Sequence, residues 1–441
     1  MAHNTSGVTS TPRSRRLRRR VTGAFAAATT AAMLLAGCSA GGTGDTDGPV
    51  TLDFWGWVPG LEDAVAAWND ENPDIQVSFH RMTGDDGAKI PPAIDAGTAP
   101  DVFQMGSAGI PEQIVAGRLL DISEYVGDVT DAYDETAWSS VTFGEGIYGL
   151  PQDAGPSGMM YRSDLFEEYG VEVPTTFEEY LDAGRALKAA NPDIYLAQLS
   201  PNEAGFWLQQ VWQAGGSYYG IDGDSWTVEV NNEASQEVAA LWQTALDEEL
   251  FKVVEMWTPE YWSEVNAGNI ATINYLAWFP TLLEENAGNL SGLWSVTASP
   301  RIGGEVTSGS GGYGANVVSV NSDAPEQAVE FAKWLNTSEE GLDFLIAEGG
   351  IFPAALDGLE HPALLAEEEY FGGQIINEVF LEEATLAPAT WVAGPTHNLT
   401  QDALKDQFAR VANGQITFAE ALEAVAVSER QSLEDAGLSV K

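Results

Sequence analysis

Tryptophan and acidic side chains are the residues of this chain best suited to recognising a ligand. The sequence holds 14 tryptophans and 66 aspartates and glutamates among 441 residues. Flat aromatic rings cover the C–H faces of a sugar, while carboxylates, amides and arginines bind its hydroxyl groups. Most tryptophans in any protein pack in the core, so their position along the chain must decide which of these residues bind a ligand.

The histidines and short motifs give little support for catalysis. His80, His361 and His397 are widely spaced, and the chain has no His-Glu-x-x-His, Gly-x-Ser-x-Gly or phosphate-binding glycine loop. Asp222-Gly223-Asp224 is only a fragment of a calcium loop and predicts a hairpin turn. We therefore expect no catalytic residue, no metal and no cofactor. A glycosidase stays open as an alternative, because its two carboxylates leave no short motif.

The N-terminal residues have the layout of an export signal. Six arginines between Arg13 and Arg20 precede an apolar stretch that ends in Leu35-Ala36-Gly37-Cys38. We predict a signal peptide over residues 1–37, cut before Cys38, with residues 38–48 as a flexible tether. An uncut transmembrane anchor is the alternative, although the apolar run is short for a bilayer.

Cys38 is the single cysteine of the chain, and its setting resembles the lipobox of bacterial lipoproteins. Two acyl chains on Cys38 would anchor the protein stably to a membrane. The predicted location is therefore the outer face of the cytoplasmic membrane. Once Cys38 is acylated, no thiol remains for a disulfide, a metal site or a nucleophile.

The mature chain is strongly acidic. Without the six arginines of the signal peptide, 13 basic residues face 66 acidic ones, a net charge of −53. Such a surface repels nucleic acid, which we exclude as a partner. Acidity fits either a solvated surface or attraction of a cationic ligand.

About 400 mature residues are too many for one core and predict two domains or lobes.

Short apolar strands alternate with amphipathic helices after the tether, which predicts an α/β protein. The predicted strands are Val50–Phe54, Ile75–Phe79, Val102–Met105, Ile147–Leu150, Gly158–Tyr161, Ile194–Leu199, Thr227–Val230, Ile270–Asn274 and Asn316–Val320.

Capping boxes and prolines mark where several helices begin. Thr176-Phe177-Glu178-Glu179 and Thr417-Phe418-Ala419-Glu420 each place a glutamate three residues after a threonine. Pro111, Pro259 and Pro325 stand where first-turn prolines occur.

The order of these segments resembles the carbohydrate-type extracellular solute-binding proteins of ABC importers, the maltodextrin-binding-like group. The similarity covers nearly the whole mature chain. It rests on ordered segments that include Leu52-Asp53-Phe54-Trp55-Gly56-Trp57, Ala96-Gly97-Thr98-Ala99-Pro100-Asp101-Val102-Phe103, Gly146-Ile147-Tyr148-Gly149-Leu150-Pro151, Val173-Pro174-Thr175-Thr176-Phe177-Glu178-Glu179 and Gly349-Gly350-Ile351-Phe352-Pro353. Arg162 departs from the family, which usually has Asn or Asp after the tyrosine, and we expect it to serve packing.

The resemblance implies a two-lobed periplasmic-binding-protein-like fold, with a hinge and a ligand cleft between the lobes. We expect residues 49–153 and 315–355 in lobe 1, and residues 154–312 and 362–441 in lobe 2. Hinge closure around a ligand is the standard transition of this protein class. The closed form, expected to be a monomer, would dock on ABC permease subunits in the membrane.

Strand ends point to the first candidate ligand-binding residues, because ligands of open α/β sheets sit beyond the carboxyl ends of the strands. Trp55 and Trp57 lie at the end of the first predicted strand, and Asn274 and Trp278 at the end of a later one.

The family resemblance implies further ligand contacts. They lie after predicted strands, at the crossovers, or in a late loop, and comprise Gln104, Ser107, Asp153, Glu203, Trp207, Tyr313 and Trp391.

We therefore expect the protein to bind a sugar, and its many aromatic residues favour a di- or oligosaccharide. A polyamine or a peptide on the same fold remains the alternative, because a fold does not dictate its ligand.

Overall fold

The computed structural model describes residues 48–83, 86–303, 307–387 and 391–441. The predicted signal peptide, Cys38 and all of the tether but Gly48 lie outside the described residues. Gly48–Lys441 forms one compact unit.

The strands are short, apart from two. They are β1 Val50–Gly56, β2 Ile75–Arg81, β3 Val102–Gly106, β4 Thr142–Phe143, β5 Gly146–Ile147, β6 Leu150–Arg162, β7 Ala197–Leu199, β8 Tyr219–Asp222, β9 Ser225–Val228, β10 Phe251–Val253, β11 Thr272–Leu276, β12 Trp294–Thr297 and β13 Ser310–Val318.

Helices connect the strands and close the chain. They are α1 Leu61–Glu71, α2 Asp86–Asp95, α3 Ile110–Val115, α4 Glu135–Ser139, α5 Ser163–Tyr169, α6 Phe177–Ala190, α7 Gly205–Gln213, α8 Glu233–Asp247, α9 Pro259–Asn266, α10 Phe279–Asn286, α11 Pro325–Thr337, α12 Glu339–Asp343, α13 Ile376–Ala384, α14 His397–Ala412 and α15 Phe418–Asp435. None of the helices in the described part of the chain is long and apolar enough to cross a membrane.

The main sheet is mixed and runs in the order β11-β6-β13-β3-β1-β2, with β12 also paired to β6. β1 pairs in parallel with β2 and β3, as expected of strands joined by crossover helices. β6 and β13 are antiparallel to each other and to their outer neighbours. These two long strands therefore join a parallel end of the sheet to an antiparallel end.

The strand prediction was wrong at β6. The sequence predicted separate strands at Ile147–Leu150 and Gly158–Tyr161, but residues 150–162 form one strand of 13 residues. Pro151 and Pro156 interrupted the apolar pattern, although both can stand in a strand where no ladder N–H is needed. β8, β10 and β12 were not predicted, because their runs of three or four residues carry too little periodicity.

The predicted helix starts are confirmed. Thr176 and Thr417 each accept a hydrogen bond from the backbone N–H three residues on, and Glu179 and Glu420 bond back to the cap residue. Pro111, Pro259 and Pro325 stand in the first turns of α3, α9 and α11.

Asp222-Gly223-Asp224 lies in the β8–β9 hairpin, where Asp222 pairs with Ser225 and Gly223 has a φ of 65°. The predicted hairpin turn is therefore confirmed. Arg162 is buried in an ion pair with Asp164, at 2.7 Å, and lies over the ring of Trp294. It serves packing, as predicted.

Candidate functional site

Three chain segments run side by side between the two ends of the sheet. β6 and β13 pair with register shifts between Ser310 and Tyr313 and between Gly314 and Ala315. A third segment joins them where the Ala154 N–H donates to the Phe352 carbonyl oxygen at 2.8 Å. The register shifts interrupt the regular ladder between these segments. We call the three segments the floor of the cavities described next, because residues of all three line the first of them.

The first cavity has a volume of about 510 Å³ and opens above this floor. Its lining comes from both ends of the sheet and from the crossing segments, and includes Trp57, Asp153, Trp278, Thr281, Tyr313 and Ile351. Apolar walls with a few polar groups are typical of a small-molecule site. The structure thus brings together four of the predicted site residues, Trp57, Asp153, Trp278 and Tyr313.

A second cavity of about 530 Å³ lies on the other side of Gly311, Gly312 and Tyr313, which line both. It also contains Ser107 and Trp391, two further predicted residues. Trp391 stacks on Trp212, with ring centroids 5.0 Å apart and planes 18° apart. Trp212 was missed because its helix reads as ordinary core.

Asp153 is the carboxylate at the centre of the floor. Its Oδ1 atom is buried and has no hydrogen-bond partner among the described residues. Burial raises the pKa of Asp153 to about 6, and the backbone N–H of Gly314 opposes that rise. Asp153 also lines the first cavity, and a carboxylate there is an acceptor suited to a hydroxyl donor.

Trp57 projects from the loop after β1 and is 41% exposed. Its backbone N–H donates to Gln104 Oε1 at 2.6 Å, and Gln104 Nε2 donates to Gln152 Oε1 at 2.6 Å. The buried Gln104 therefore supports the Trp57 loop from beneath. A third cavity of about 630 Å³ contains both Trp57 and Gln104.

Trp278 lines the first cavity and packs against two further aromatic rings that do not line it. Its ring lies 5.1 Å from Tyr275, edge to face, and 6.1 Å from Trp257, stacked. Trp257 is 42% exposed and was missed by the sequence analysis. The only signal was a tryptophan just before a helix cap at Thr258, which does not reveal where the ring points.

Trp207 was predicted to bind ligand, and this prediction is wrong. Its side chain is fully buried. The ring stacks on Phe418 at 5.8 Å and meets Trp242 and Phe408 edge to face. Its position after a predicted strand suggested the site, but α7 turns this face into the core of the antiparallel end.

Asn274 is likewise a structural residue. It is 4% exposed, and its Oδ1 accepts a hydrogen bond from Ser299 Oγ at 2.7 Å. Its carbonyl oxygen accepts from Gln209 Nε2. Asn274 lines none of the three cavities and both of its oxygens are hydrogen-bonded inside the protein, so the expectation of ligand contact is corrected.

Trp55 and Glu203 also do not line these cavities. Trp55 packs on His80, with ring centroids 4.5 Å apart, and its Nε1 donates to Asp53. Glu203 accepts from the Gly205 N–H at 2.6 Å and from Trp257 Nε1 at 3.1 Å. Both carboxylate oxygens of Glu203 are therefore hydrogen-bonded to neighbouring residues in this structure.

Across the described residues, no group of three or more His, Cys, Asp or Glu is placed to hold a metal ion.

Several known proteins similar to this chain are named for a sugar or have a sugar bound in their solved structures. The structure resembles the galacto-N-biose-/lacto-N-biose I-binding protein of the ABC transporter from Bifidobacterium longum in complex with lacto-N-biose, with a TM-score of 0.83 and 28% identity over 90% of this chain and 100% of that chain. It also resembles the ABC transporter associated binding protein from B. animalis subsp. lactis in complex with beta-1,6-galactobiose, with a TM-score of 0.80 and 25% identity over 89% of this chain and 100% of that one.

Sequence comparison agrees. The arabinooligosaccharide-binding protein of Halalkalibacterium halodurans is 25% identical over 358 residues, covering 77% of this chain and 79% of that protein. The two-lobed α/β fold with an interlobe cleft, predicted from the resemblance, is confirmed. The family described as bacterial extracellular solute-binding protein matches residues 56–341, and the chain belongs to this family.

Proposed function

We propose that this protein is the substrate-binding component of an ABC importer, which captures a sugar outside the cell and passes it to a membrane permease. The observation that carries this is the first cavity, where Trp57, Trp278 and Asp153 converge from different parts of the chain. Flat rings and a carboxylate suit the C–H faces and hydroxyls of a sugar. Family membership and sugar-bound structural relatives support the same function.

A di- or oligosaccharide is the ligand class that we propose. Two cavities of about 510 and 530 Å³ meet at Tyr313, and each has its own tryptophans. One sugar unit would occupy the first cavity against Trp57 and Trp278. A second would reach past Tyr313 towards Ser107 and Trp391. Relatives named for a disaccharide or an oligosaccharide fit this proposal.

We propose that the protein works as a binder and not as a glycosidase. The family and the similar structures are binding proteins. Release of reducing sugar from an oligosaccharide by the pure protein would overturn this part.

The lobes are proposed as residues 49–153 with 315–355, and 154–312 with 362–441. β1, β2 and β3 belong to the first, and β11 and β12 to the second. Ligand that touches both lobes would favour the closed form, because it gains contacts there that the open form lacks.

We also propose that Cys38 carries a lipid anchor. The arginine-rich stretch, the apolar run and the lipobox-like Leu35-Ala36-Gly37-Cys38 support it. The folded body, as a monomer on its tether, would then stay near the permease. Replacing Cys38 by Ser should release the protein from the membrane fraction, whereas unchanged membrane association would contradict the anchor.

Thermal unfolding of residues 39–441 against a panel of sugars, polyamines and peptides tests the function. Ligand at 100 times its dissociation constant stabilises the folded state by about 2.7 kcal/mol. For a protein of this size the midpoint should rise by roughly 2 °C or more. The shift should occur with a di- or oligosaccharide series and shrink in Trp278→Ala. A shift with polyamines or peptides alone would contradict the sugar assignment.

A further inference from the structure

Trp257 has a backbone conformation that tryptophan rarely adopts. Its φ is 66°, and among the described residues only Glu249 shares a positive φ without being glycine. For a bulky side chain the left-handed region is a genuine outlier, because Cβ crowds the following carbonyl oxygen. Strain of this kind persists only where the surrounding structure enforces it, and it clusters at ligand sites.

Hydrogen bonds on both sides of Trp257 enforce the conformation. The Met256 N–H donates to Ser200 Oγ at 2.8 Å, and the Met256 carbonyl oxygen accepts from Asn202 Nδ2 at 3.0 Å. On the other side, Thr258 caps α9 by accepting from the Tyr261 N–H. The chain must turn sharply between these two fixed points, at Trp257.

The turn places the Trp257 ring against Trp278. The two rings are stacked, with centroids 6.1 Å apart and planes 25° apart. Glu203 Oε2 accepts from Trp257 Nε1 at 3.1 Å, while Glu203 Oε1 is tied to the Gly205 N–H. Trp257 is thus held by its backbone and by its ring nitrogen, and its ring covers one side of a ring that lines the first cavity.

We propose that Trp257 is a positioning residue of the sugar site, which holds the Trp278 ring in the orientation that stacks on ligand. A platform that is already oriented loses less side-chain freedom when ligand binds. The strained backbone at Trp257 is the structural requirement for this placement. This inference rests on the proposed function, since Trp278 must contact the sugar.

Paired substitutions separate strain from positioning. Trp257→Ala removes the ring and keeps the strained backbone, whereas Trp257→Gly removes both. Both variants should bind sugar roughly three- to tenfold more weakly than the wild type. The Gly variant should nevertheless melt roughly 1–2 °C above the Ala variant, because glycine adopts positive φ without a steric cost. Trp257→Phe, which keeps a stacked ring, should restore most of the affinity.

Glu249 offers the matched control. It has a φ of 56° after α8 and lies on the surface. Glu249→Gly should also melt above Glu249→Ala, but both should bind sugar as the wild type does.

A double-mutant cycle with Trp278 tests whether Trp257 acts through that ring. In a Trp278→Ala background, removing the Trp257 ring should cause no further loss of affinity, because the positioned ring is already absent. A full additional loss would mean that Trp257 acts independently and would overturn the proposal. Wild-type affinity in Trp257→Ala would overturn it too. If the wild type binds no sugar at all, the proposed function fails first, and the Trp257 proposal fails with it.

Discussion

At the scale of single residues, burial gives two carboxyl groups unusual properties. Asp153 lies at the floor of the first cavity with an unpartnered oxygen. Glu429 lies in α15, 1% exposed, and neither of its oxygens has a hydrogen-bond partner among the described residues. Removing a carboxylate from water without a hydrogen bond to each of its oxygens favours its neutral form. The first group should therefore influence binding and the second stability.

Asp153 should make sugar binding depend on pH. Its pKa of about 6 means that at pH 5 most molecules carry the protonated form, a neutral and therefore weaker acceptor than the carboxylate. We expect affinity to fall roughly tenfold between pH 7 and pH 5, as one pH unit below a pKa implies. In Asp153→Asn the affinity should be weaker at pH 7 and nearly flat over this range, as measured by titration calorimetry. The same pH slope in both proteins would assign the effect to another group.

Glu429 should make stability fall as pH rises. Burial raises the pKa of Glu429 to about 9, from about 4.5 when unfolded; Glu229 adds to the rise and Arg430 opposes it. Between these two values only the folded state holds the proton, so stability is greatest at the acid end and declines up to about pH 9, by at most roughly 1.4 kcal/mol per pH unit.

Glu429→Gln should remove that slope and raise the urea midpoint at pH 8, with little change at pH 4.5. Glu423→Gln, at an exposed position of the same helix, is the control and should keep the wild-type slope. A Glu429→Gln variant no more stable than the wild type at pH 8 would contradict the burial argument.

At the scale of elements, β6 and β13 carry both the proposed site and the proposed hinge. Their pairing is shifted twice between Ser310 and Ala315, and Gly312 stands at the first shift with a φ of 87°. Its N–H donates to Ser310 Oγ at 3.1 Å, which stabilises the turn out of the ladder. Tyr313 directly follows this irregularity and lines both cavities.

Gly312→Ala should therefore destabilise the protein. A Cβ there forces an L-residue into the left-handed region at a cost of about 1–2 kcal/mol, and it would lie 3.4 Å from Ser107 Oγ. Chemical denaturation measures the loss. Gly106→Ala is the matched control, since it also borders the first cavity but has free space for a Cβ and no positive φ. Equal stability of the two variants would remove the backbone explanation.

At the scale of the whole molecule, a hydrogen bond links helices of the two proposed lobes. Asn398 Nδ2, at the start of α14, donates to Glu112 Oε2 in α3 at 2.9 Å. Both side chains are near the surface, at the edge of the third cavity. A bond that exists only when the lobes are close shifts the population towards the closed form.

Asn398→Asp should weaken sugar binding by a few-fold, because two carboxylates would then face each other when the lobes close. High salt should reduce the effect by screening. Adding Glu112→Gln should restore affinity, which titration calorimetry and the radius of gyration with and without sugar can follow. An unchanged affinity in Asn398→Asp would mean that this contact does not influence closure.

Local features of the chain could be predicted because they depend on neighbours in sequence. Both capping boxes, the first-turn prolines and the Asp222–Ser225 hairpin formed as expected, since each is a matter of a few adjacent dihedrals and hydrogen bonds. Segment order was also enough to identify the family. The acidic composition argued against a nucleic-acid partner, and the lack of short catalytic motifs in the sequence gave little support for an enzyme.

Tertiary structure alone decided which tryptophans face the cleft. Trp207 and Trp278 both followed predicted strands, yet one is sealed in the core by Phe418 and Phe408 and the other lines a cavity. Burial of a large ring depends on partners hundreds of residues away, which no local pattern records. The role of Trp257 was even harder to predict from sequence. Its strained backbone is imposed by hydrogen bonds between Met256 and Ser200 and Asn202, which lie more than 50 residues earlier in the chain.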